Sequence, residues 1–507
     1  MIPVVSVQTM RKSDETEINR GTSGRTLMLR AGRAIANAVD FKGRTAIVCG
    51  KGNNGGDGYV IALELHEKST LSCVLFLTKN EFSEDGKFYF DKCKEKNIPY
   101  KFVDGNTDFN GFDYVVDCIY GTGFHGKIDD FHSRLIDKIN NSNAIIVSVD
   151  TNSGLNSNNG LSEKAVKSDV TVSVGTYKSG HFLGMAKDYI KSLKNVDIGI
   201  PIIGEKYYLA EENDFTEFIA ERKNFSHKGT YGTACIIGGF ANYVGAVKLA
   251  ASSLSALKAG CGLSRIVAAK SLLPALAAEI KESTLFPLPD KNGEMKFNKK
   301  ELSAAINGAS AVAIGMGWGK GKNNRKILDF VLHNVAVPVI IDADGLNVLA
   351  ENPDLIKGKN CITVLTPHVG EAARLAGKTR EEISFDPVSE AKSLAKKYSS
   401  LVALKGAATV VTDGEEVIIT NTGCAGMATA GSGDVLSGIM VGVLAQKPQN
   451  ILLSVAYATY INGLAGELAQ KEKTDISMTS GDTVTKIPAA VIYLREKANE
   501  DAKNKGV

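Results

Sequence analysis

None of the eight cysteines, Cys49, Cys73, Cys93, Cys118, Cys235, Cys261, Cys361 and Cys424, forms a CxxC pair. Several sit inside apolar runs, so they read as buried, reduced thiols of a cytoplasmic protein. An excess of charge of one sign is missing too. There are 59 basic and 56 acidic residues, a net charge of +3, which gives no electrostatic case for nucleic acid or an anionic membrane surface. No basic segment followed by an apolar core opens the chain, so no signal peptide is expected. Nor is there a long uninterrupted apolar run. The most apolar late stretch, Ile451–Leu468, carries Tyr457, Tyr460, Asn462 and Glu467 and reads as a buried helix rather than a membrane span. Tryptophan occurs once, at Trp318, and repeats and low-complexity segments are absent. What remains is an ordinary soluble composition, 44% hydrophobic and 23% charged. At 507 residues it is longer than one core usually serves, so two domains are expected.

Glycine is what the chain has in informative places. Residues 425–438 read AGMATAGSGDVLSG. The apolar helical pattern that follows puts Gly431, Ser432 and Gly433 at a helix N-terminus, where unpaired amides and the helix dipole favour phosphate. A carboxylate in such a loop is odd if anion binding is its only task. Asp434 makes sense as a base facing a substrate hydroxyl beside a polarised phosphoryl group, with a helix cap as the plainer alternative. A second cluster, GKGNNGGDG at 50–58, lies between a strand pattern and a helix pattern. It is neither GxGxxG nor the GxxxxGK[ST] phosphate loop. Two nucleotide-type loops imply two active sites.

Both halves alternate short apolar runs with amphipathic stretches, which predicts βα units and mainly parallel sheets. Strands are expected at Thr45–Cys49, Leu71–Leu77, Asp113–Ile119, Ala144–Val149 and Val170–Val174. In the second half they are expected at Thr233–Ile237, Leu263–Ala268, Ala311–Ile314, Val337–Ile341, Ile362–Leu365 and Leu401–Leu404. Helical patterns include Ser23–Val39, Tyr59–His66, Ser83–Lys96, Phe131–Asn140, Gly245–Ala259, Asn324–His333, Gly370–Leu375 and Pro387–Tyr398. Ala498–Val507 is polar and is expected to fray. A polar seam between Tyr207 and Thr230 places the domain boundary near 215, giving domains 1–214 and 215–507.

In the first half the chemistry-bearing residues cluster at strand ends, where open α/β sheets bind ligands. Asn53–Asp57 follows the first strand; Asp117 and the GTGFHGK loop Gly121–Lys127 close another; Asp150 and Ser153, in VDTNSG, close a third. Each glycine could serve only a turn, and Asp57, Asp117 and Asp150 could each be caps. Three carboxylates at successive strand ends favour a site. With LMLRAG at 27–32, NNGGDG, VDCIYGTG and VDTNSG, residues 8–205 resemble the YjeF N-terminal domain, the NAD(P)H-hydrate epimerase family of Rossmann-like three-layer α/β/α fold. The resemblance implies that Asn53, Asn54, Gly55, Gly56 and Asp57, with Gly121, Thr122, Gly123, Phe124, His125, Gly126 and Lys127, hold the damaged dinucleotide. It makes Asp150 the catalytic contact to the nicotinamide-derived ring, and Asn54, Asp117 and Ser153 oxygen ligands for potassium, a set suited to a weakly charged hard cation. Read without the resemblance, His125 and Cys118 are better taken as loop and core residues. Asn152 stands where the family has proline, a change expected to loosen the loop holding Asp150 and Ser153. Leu29 stands where the family commonly has Glu.

The second half, from Ser226 to Lys497, resembles the YjeF C-terminal domain, the nucleotide-dependent NAD(P)H-hydrate dehydratase of the ribokinase-like superfamily. The motifs are HKGTYG at 227–232, IIGGFANYVGA at 236–246, DADGLN at 342–347, TPHVGE at 366–371, KGAAT at 405–409 and the AGSGD loop. The resemblance implies hydrate binding by Ala246, Gly317, His368 and Asp434. It implies nucleotide binding by Lys405, Gly406, Ala407, Ala408 and Thr409 together with Gly431, Ser432 and Gly433. Magnesium is expected for phosphoryl neutralisation, with ADP, or else ATP, as co-substrate. Gly315–Gly319 reads GMGWG where the family favours GPGLG, and Trp318 either walls a pocket or fills a loop. Asp342 and Asp344 are read as possible helix caps. The chain as a whole reads as a cytoplasmic, homo-oligomeric repair enzyme for hydrated NADH and NADPH. The rivals are a small-molecule kinase of the same superfamily and a first domain that binds dinucleotide without catalysis.

Overall fold

The alternation of apolar runs and amphipathic stretches resolves into two compact units, Pro3–Tyr207 and Tyr208–Val507, the latter including Met1–Ile2. The expected seam near 215 therefore lies inside the second unit. The structure is a computed structural model and describes residues 1–68, 72–252 and 257–504.

In the first unit a parallel sheet runs in the order Tyr100–Phe102, Ser72–Leu77, Arg44–Cys49, Tyr114–Cys118, Ile145–Val149, Val170–Val174, Leu193–Val196. Alternate strand residues serve opposite faces, as the two-residue period of a strand requires. Ile47, Cys49, Val116 and Cys118 pack with Met28, Ile35, Tyr59, Ile61 and Phe90 of three helices. Ala46, Val48 and Val115 pack with Leu135, Ile136 and Ile139 of helix Asp130–Asn140. Burial on both faces is why these strands read as continuous apolar runs. From Arg44–Cys49 the chain first builds outward to one side, then returns to build Tyr114–Cys118 on the other. That switch point is where a crevice opens at the carboxyl ends of the strands.

In the second unit the sheet order is Ser283–Leu288, Leu263–Ala269, Thr233–Ile237, Ala311–Ile314, Val339–Ile341, Thr363–Leu365, Leu401–Leu404, Thr409–Thr412, Val417–Thr420. It is parallel up to Leu401–Leu404 and antiparallel from there to Val417–Thr420, with Tyr208 and Leu209 pairing parallel to Ile418 and Ile419 at that edge. Four residues, Lys405–Ala408, separate Leu401–Leu404 from Thr409–Thr412, too few for the crossover a parallel pair needs. Helix Ile451–Lys473 is long and apolar enough by length and composition to cross a membrane, yet 78% of its most apolar window is buried in the protein, so it serves as a core helix.

Several expected elements differ. The glycine cluster is not a loop through Gly58; the helix starts at Asn53 and runs to Glu67. Glycine's poor helix propensity is overridden by close packing. A Cβ on Gly55 would lie 2.0 Å from the Gly50 carbonyl oxygen, and one on Gly56 2.4 Å from the Met28 methyl. Helix Val244–Ala251 stops short of the expected Ala259, of which 253–256 lie outside the described residues, as does Leu71. The last helix, Ser480–Asn504, continues through most of the segment expected to fray.

Because the Gly50 carbonyl is backbone and cannot swing away, Gly55→Ala should cost about 1–3 kcal/mol, the usual range for overpacking. Thermal denaturation of the full chain checks this. A transition indistinguishable from wild type would show that the turn can open around a methyl group.

Candidate active sites

At the switch point of the first unit lies a cavity of about 810 Å³. The strand-end motifs converge on it: Asn53, Asn54, Asp57, Gly121, Thr122, Gly123, Phe124, His125, Lys127 and Asp150 line it. Gly55, Gly56 and Gly126 do not. The first two are spaces that let neighbouring backbone and Met28 approach, and Gly126 makes a turn at φ +95°. His125, a loop residue that the resemblance places at the dinucleotide, lines the cavity, its Nδ1 2.8 Å from the Gly123 carbonyl.

Asp150 sits at φ +64°, in the left-handed region that a non-glycine residue occupies only when its surroundings hold it there. They do. Its N–H donates to Val172 O at 2.8 Å, and its carbonyl lies 2.8 Å from His181 Nε2. Its carboxylate accepts from Thr122 N and Val174 N, both at 3.3 Å, and from the buried ammonium of Lys178. Lys178 also donates to Val174 O at 2.8 Å. Burial by itself would push the Asp150 carboxyl up, but Lys178 pulls it below the ordinary value. His181 Nδ1 accepts from Lys178 N at 3.1 Å, which leaves the proton on Nε2, pointed at the Asp150 carbonyl. Burial, with Lys178 adding to it, lowers this imidazole to about 4, so it is neutral at physiological pH. Sequence reasoning missed Lys178 and His181. The signal was the end of strand Val170–Val174, the same strand-end rule that found Asp150.

Asp117 and Ser153 do not line the cavity. Asp117 is fully buried and accepts from Ser148 Oγ (3.0 Å), Ser153 N (2.9 Å), Ile119 N (3.2 Å) and the Ser153 hydroxyl. Ser153 Oγ in turn accepts from Tyr120 N at 2.9 Å. Asn54 joins them through the next residue, since a Cβ on Gly121 would sit 3.2 Å from its carboxamide. The buried Asn54 amide nitrogen has no partner among the described residues. The expected loosening at Asn152 is not found. This side chain is buried and donates to Val166 O (2.8 Å), Ser168 Oγ (3.0 Å) and Tyr189 O (3.0 Å), while accepting from Thr171 Oγ1 (2.6 Å). Leu29 packs against the core.

In the second unit Gly431, at φ +93°, caps helix Ser432–Leu444. Lys405 reaches this N-terminus: a Cβ on Gly433 would lie 3.4 Å from its Nζ. Asp342, read from sequence as a possible cap, instead holds that lysine at 3.0 Å and accepts from Ser437 Oγ at 2.7 Å; Glu371 lies 3.9 Å from Nζ. Burial opposes the charge on Lys405, but Asp342 and Glu371 keep it protonated. Asp434 is different. Burial, then the neighbouring Asp342, raises it to about 7 against the pull of Lys405, the range wanted of a general base near neutrality.

His368 pairs in backbone register with Lys405 and caps helix Val369–Ala376, its Nδ1 accepting from Gly370 N at 2.9 Å. The ring is half-exposed, and its Nε2 lies 3.6 Å from Glu371 Oε1. Gly317 and Ala246 meet, a Cβ on the former falling 2.8 Å from that of the latter. Asp344 accepts from Gly319 N at 2.7 Å and so fastens the GMGWG loop. Trp318 is buried, its indole nitrogen without a partner among the described residues, which fits loop filling. Gly406 and Ala407 are exposed at the turn, Ala408 is buried, and Thr409 pairs with Thr420 across the antiparallel ladder.

Both units match known families. Residues 24–180 match the YjeF-related protein N-terminus, and residues 234–489 match NAD(P)H-hydrate dehydratase. A bifunctional NAD(P)H-hydrate repair enzyme of Thermofilum pendens is 32% identical over 493 residues, covering 94% of this chain and 93% of that one. One from Escherichia coli is 34% identical over 439 residues, covering 83% and 81%. Among solved structures, the ADP/ATP-dependent NAD(P)H-hydrate dehydratase of Bacillus subtilis, co-crystallised with ATP and Mg2+, is 26% identical with a TM-score of 0.50, covering 57% of this chain and 99% of that one. With both family models matched and the similarity running nearly end to end, the chain belongs to the family of bifunctional NAD(P)H-hydrate repair enzymes.

Proposed function

We propose that the first unit interconverts the R and S hydrates of NADH and NADPH, and that the second dehydrates the S form at the expense of ADP, with ATP as the other candidate. The observation that carries the reading is Asp434 at the Gly431–Gly433 helix N-terminus, its proton affinity set near neutrality beside the Asp342–Lys405 pair. Asp434 takes the hydrate hydroxyl proton as that oxygen attacks the terminal phosphoryl group. The amides of the loop and Lys405 meet the charge that develops on the phosphoryl oxygens. The C–O bond to phosphate then breaks as the ring nitrogen's lone pair expels it, and loss of a ring proton restores the dihydronicotinamide. A kinase fold thus yields a dehydratase, because its phosphorylated product is unstable.

Asn54, Asp117 and Ser153 would hold potassium. The Asn54 carboxamide, whose buried nitrogen has no partner among the described residues, would present its oxygen to complete an oxygen-only set around one carboxylate, and the ion would supply charge neutralisation there. Among the described residues no group of three or more His, Cys, Asp or Glu side chains is placed to hold a metal. Magnesium therefore belongs to this reading as an ion carried by the nucleotide phosphates. A cytoplasmic setting completes it, in keeping with the free thiols.

The test supplies mixed-epimer NADH hydrate with ADP, then separately ATP, with magnesium and potassium, and follows reduced-nicotinamide absorbance to its plateau. Recovery beyond the S fraction, faster than spontaneous epimerisation allows, is expected. A plateau at the S fraction would remove the epimerase. No recovery, with a stable phosphorylated product, would leave a small-molecule kinase.

A further inference from the structure

Two carboxylates in the first cavity are uncommitted. Asp14, midway along helix Val7–Asn19, and Asp57, on helix Asn53–Glu67, both line it. Neither makes a hydrogen bond or ion pair among the described residues. Asp150, by contrast, is engaged by Lys178, Val174 and Thr122. Nor is Asp14 on a loosely held surface turn. The adjacent Ser13 is buried, donating to Thr9 O and accepting from Ile203 N, both at 2.9 Å, and Met10 of the same helix sits in a core cluster.

Epimerisation, as read above for this unit, inverts the carbon that carries the hydroxyl beside the ring nitrogen. The nitrogen lone pair forms a C=N+ bond as the C–O bond breaks, and the departing hydroxyl takes a proton and leaves as water. Water then adds to the opposite face, releases a proton, and returns the electron pair to nitrogen. One group must give a proton and another accept one; nothing is oxidised or reduced. The structure assigns these transfers to Asp14 and Asp57, which makes Asp14 a catalytic residue of the epimerase lying outside every glycine motif. The fixed negative charge of Asp150, anchored by Lys178, faces the cation formed on the ring.

The proton affinities agree with the geometry. Burial raises Asp14 to about 6, with Lys178 pulling down and Asp150 pushing up. Burial, Asp150 and Asp14 together push Asp57 well above the ordinary carboxylate range. Near neutral pH Asp14 is therefore largely free of its proton, while Asp57 holds a proton more tightly than an ordinary carboxylate. The charged groups around Asp14 are Lys178, Asp150 and Asp57 on other elements, with Arg11 and Glu15 on its own helix.

The experiment gives the full chain, without nucleotide, pure (R)-NADH hydrate and follows the two epimers by chromatography, subtracting the spontaneous rate. Asp14→Asn should lower kcat about 100-fold or more, the usual weight of a proton-transfer group. KM should stay within about threefold, and the pH limb near 6 should vanish. Asp14→Ser should show the same loss, and Asp14→Glu should recover part of it. A kcat within tenfold of wild type, a loss carried by KM, or a limb that persists in the variant would each overturn the assignment. These outcomes are separable from failure of the underlying reading, which would show as a wild-type protein that does not epimerise the hydrate at all.

Discussion

Asp434→Asn is expected to lower dehydration of the S hydrate by about 10²–10⁴-fold, the range a positioned general base contributes. The hydroxyl must lose its proton as it attacks phosphorus, and Asp434 is the one group in the anion loop able to take it. Its environment also sets the pH dependence. Burial and Asp342 raise Asp434 to about 7, and the working form is the carboxylate. Turnover should therefore rise as pH increases through that value and level off above it. The asparagine variant should lose the limb along with the rate, while the first site still scrambles the two epimers. A variant within tenfold of wild type, or one that keeps the limb, would show that the proton leaves by another route.

The second large effect concerns the pair at the other site. Lys178→Met should strand Asp150 as an unpaired charge in a buried site, costing about 3–5 kcal/mol. For a unit of this size that is a fall of roughly 6–20 °C in its transition. Lys178→Met combined with Asp150→Asn should recover a good part of the stability, because no buried charge is then left, while epimerisation stays lost. The deficit of the single variant should also depend on pH. In the wild type Asp150 lies below its ordinary value because Lys178 outweighs the effect of burial. The pair thus stabilises above the ordinary carboxylate value, and the contribution fades as pH falls through the depressed folded value. Without Lys178, burial is opposed by the Val174 and Thr122 amides and raises the carboxyl, so the penalty is full at neutral pH and shrinks as Asp150 gains a proton in acid. Equal stability of wild type and single variant would show that the pair is solvated. Epimerisation surviving Asp150→Asn alone would remove the role given to that residue.

The amino-acid pattern carried most of this architecture, for identifiable reasons. Parallel strands buried on both faces leave apolar runs such as Val170–Val174 that reproduce their bounds. Helix capping by Ser83 or Asp129 is local chemistry. The strand-end rule brought Asn54, the Gly121–Lys127 loop and Asp150 to one place because the sheet's switch point does so physically. It failed where a side chain's task depends on distant chain. Asp342 looks like a cap until Lys405, 63 positions on, is seen against it. Asp14 sits on an ordinary amphipathic helix whose residues give no hint of the cavity they border. The start of helix Asn53–Glu67 was hidden because glycines chosen for closeness look, in sequence, like glycines chosen for a turn.

Asn152 shows what that distinction means for durability. A proline at this corner would carry its order into the unfolded chain, since its ring limits the backbone whether or not the sheet has formed. The asparagine borrows its order from Val166, Ser168, Thr171 and Tyr189, segments that exist as a set only once the sheet edge is assembled. The corner cannot be prepaid, and it cannot soften by itself. The corner that carries Asp150 thus depends on two separate stretches of chain, 166–171 and Tyr189, being in place together.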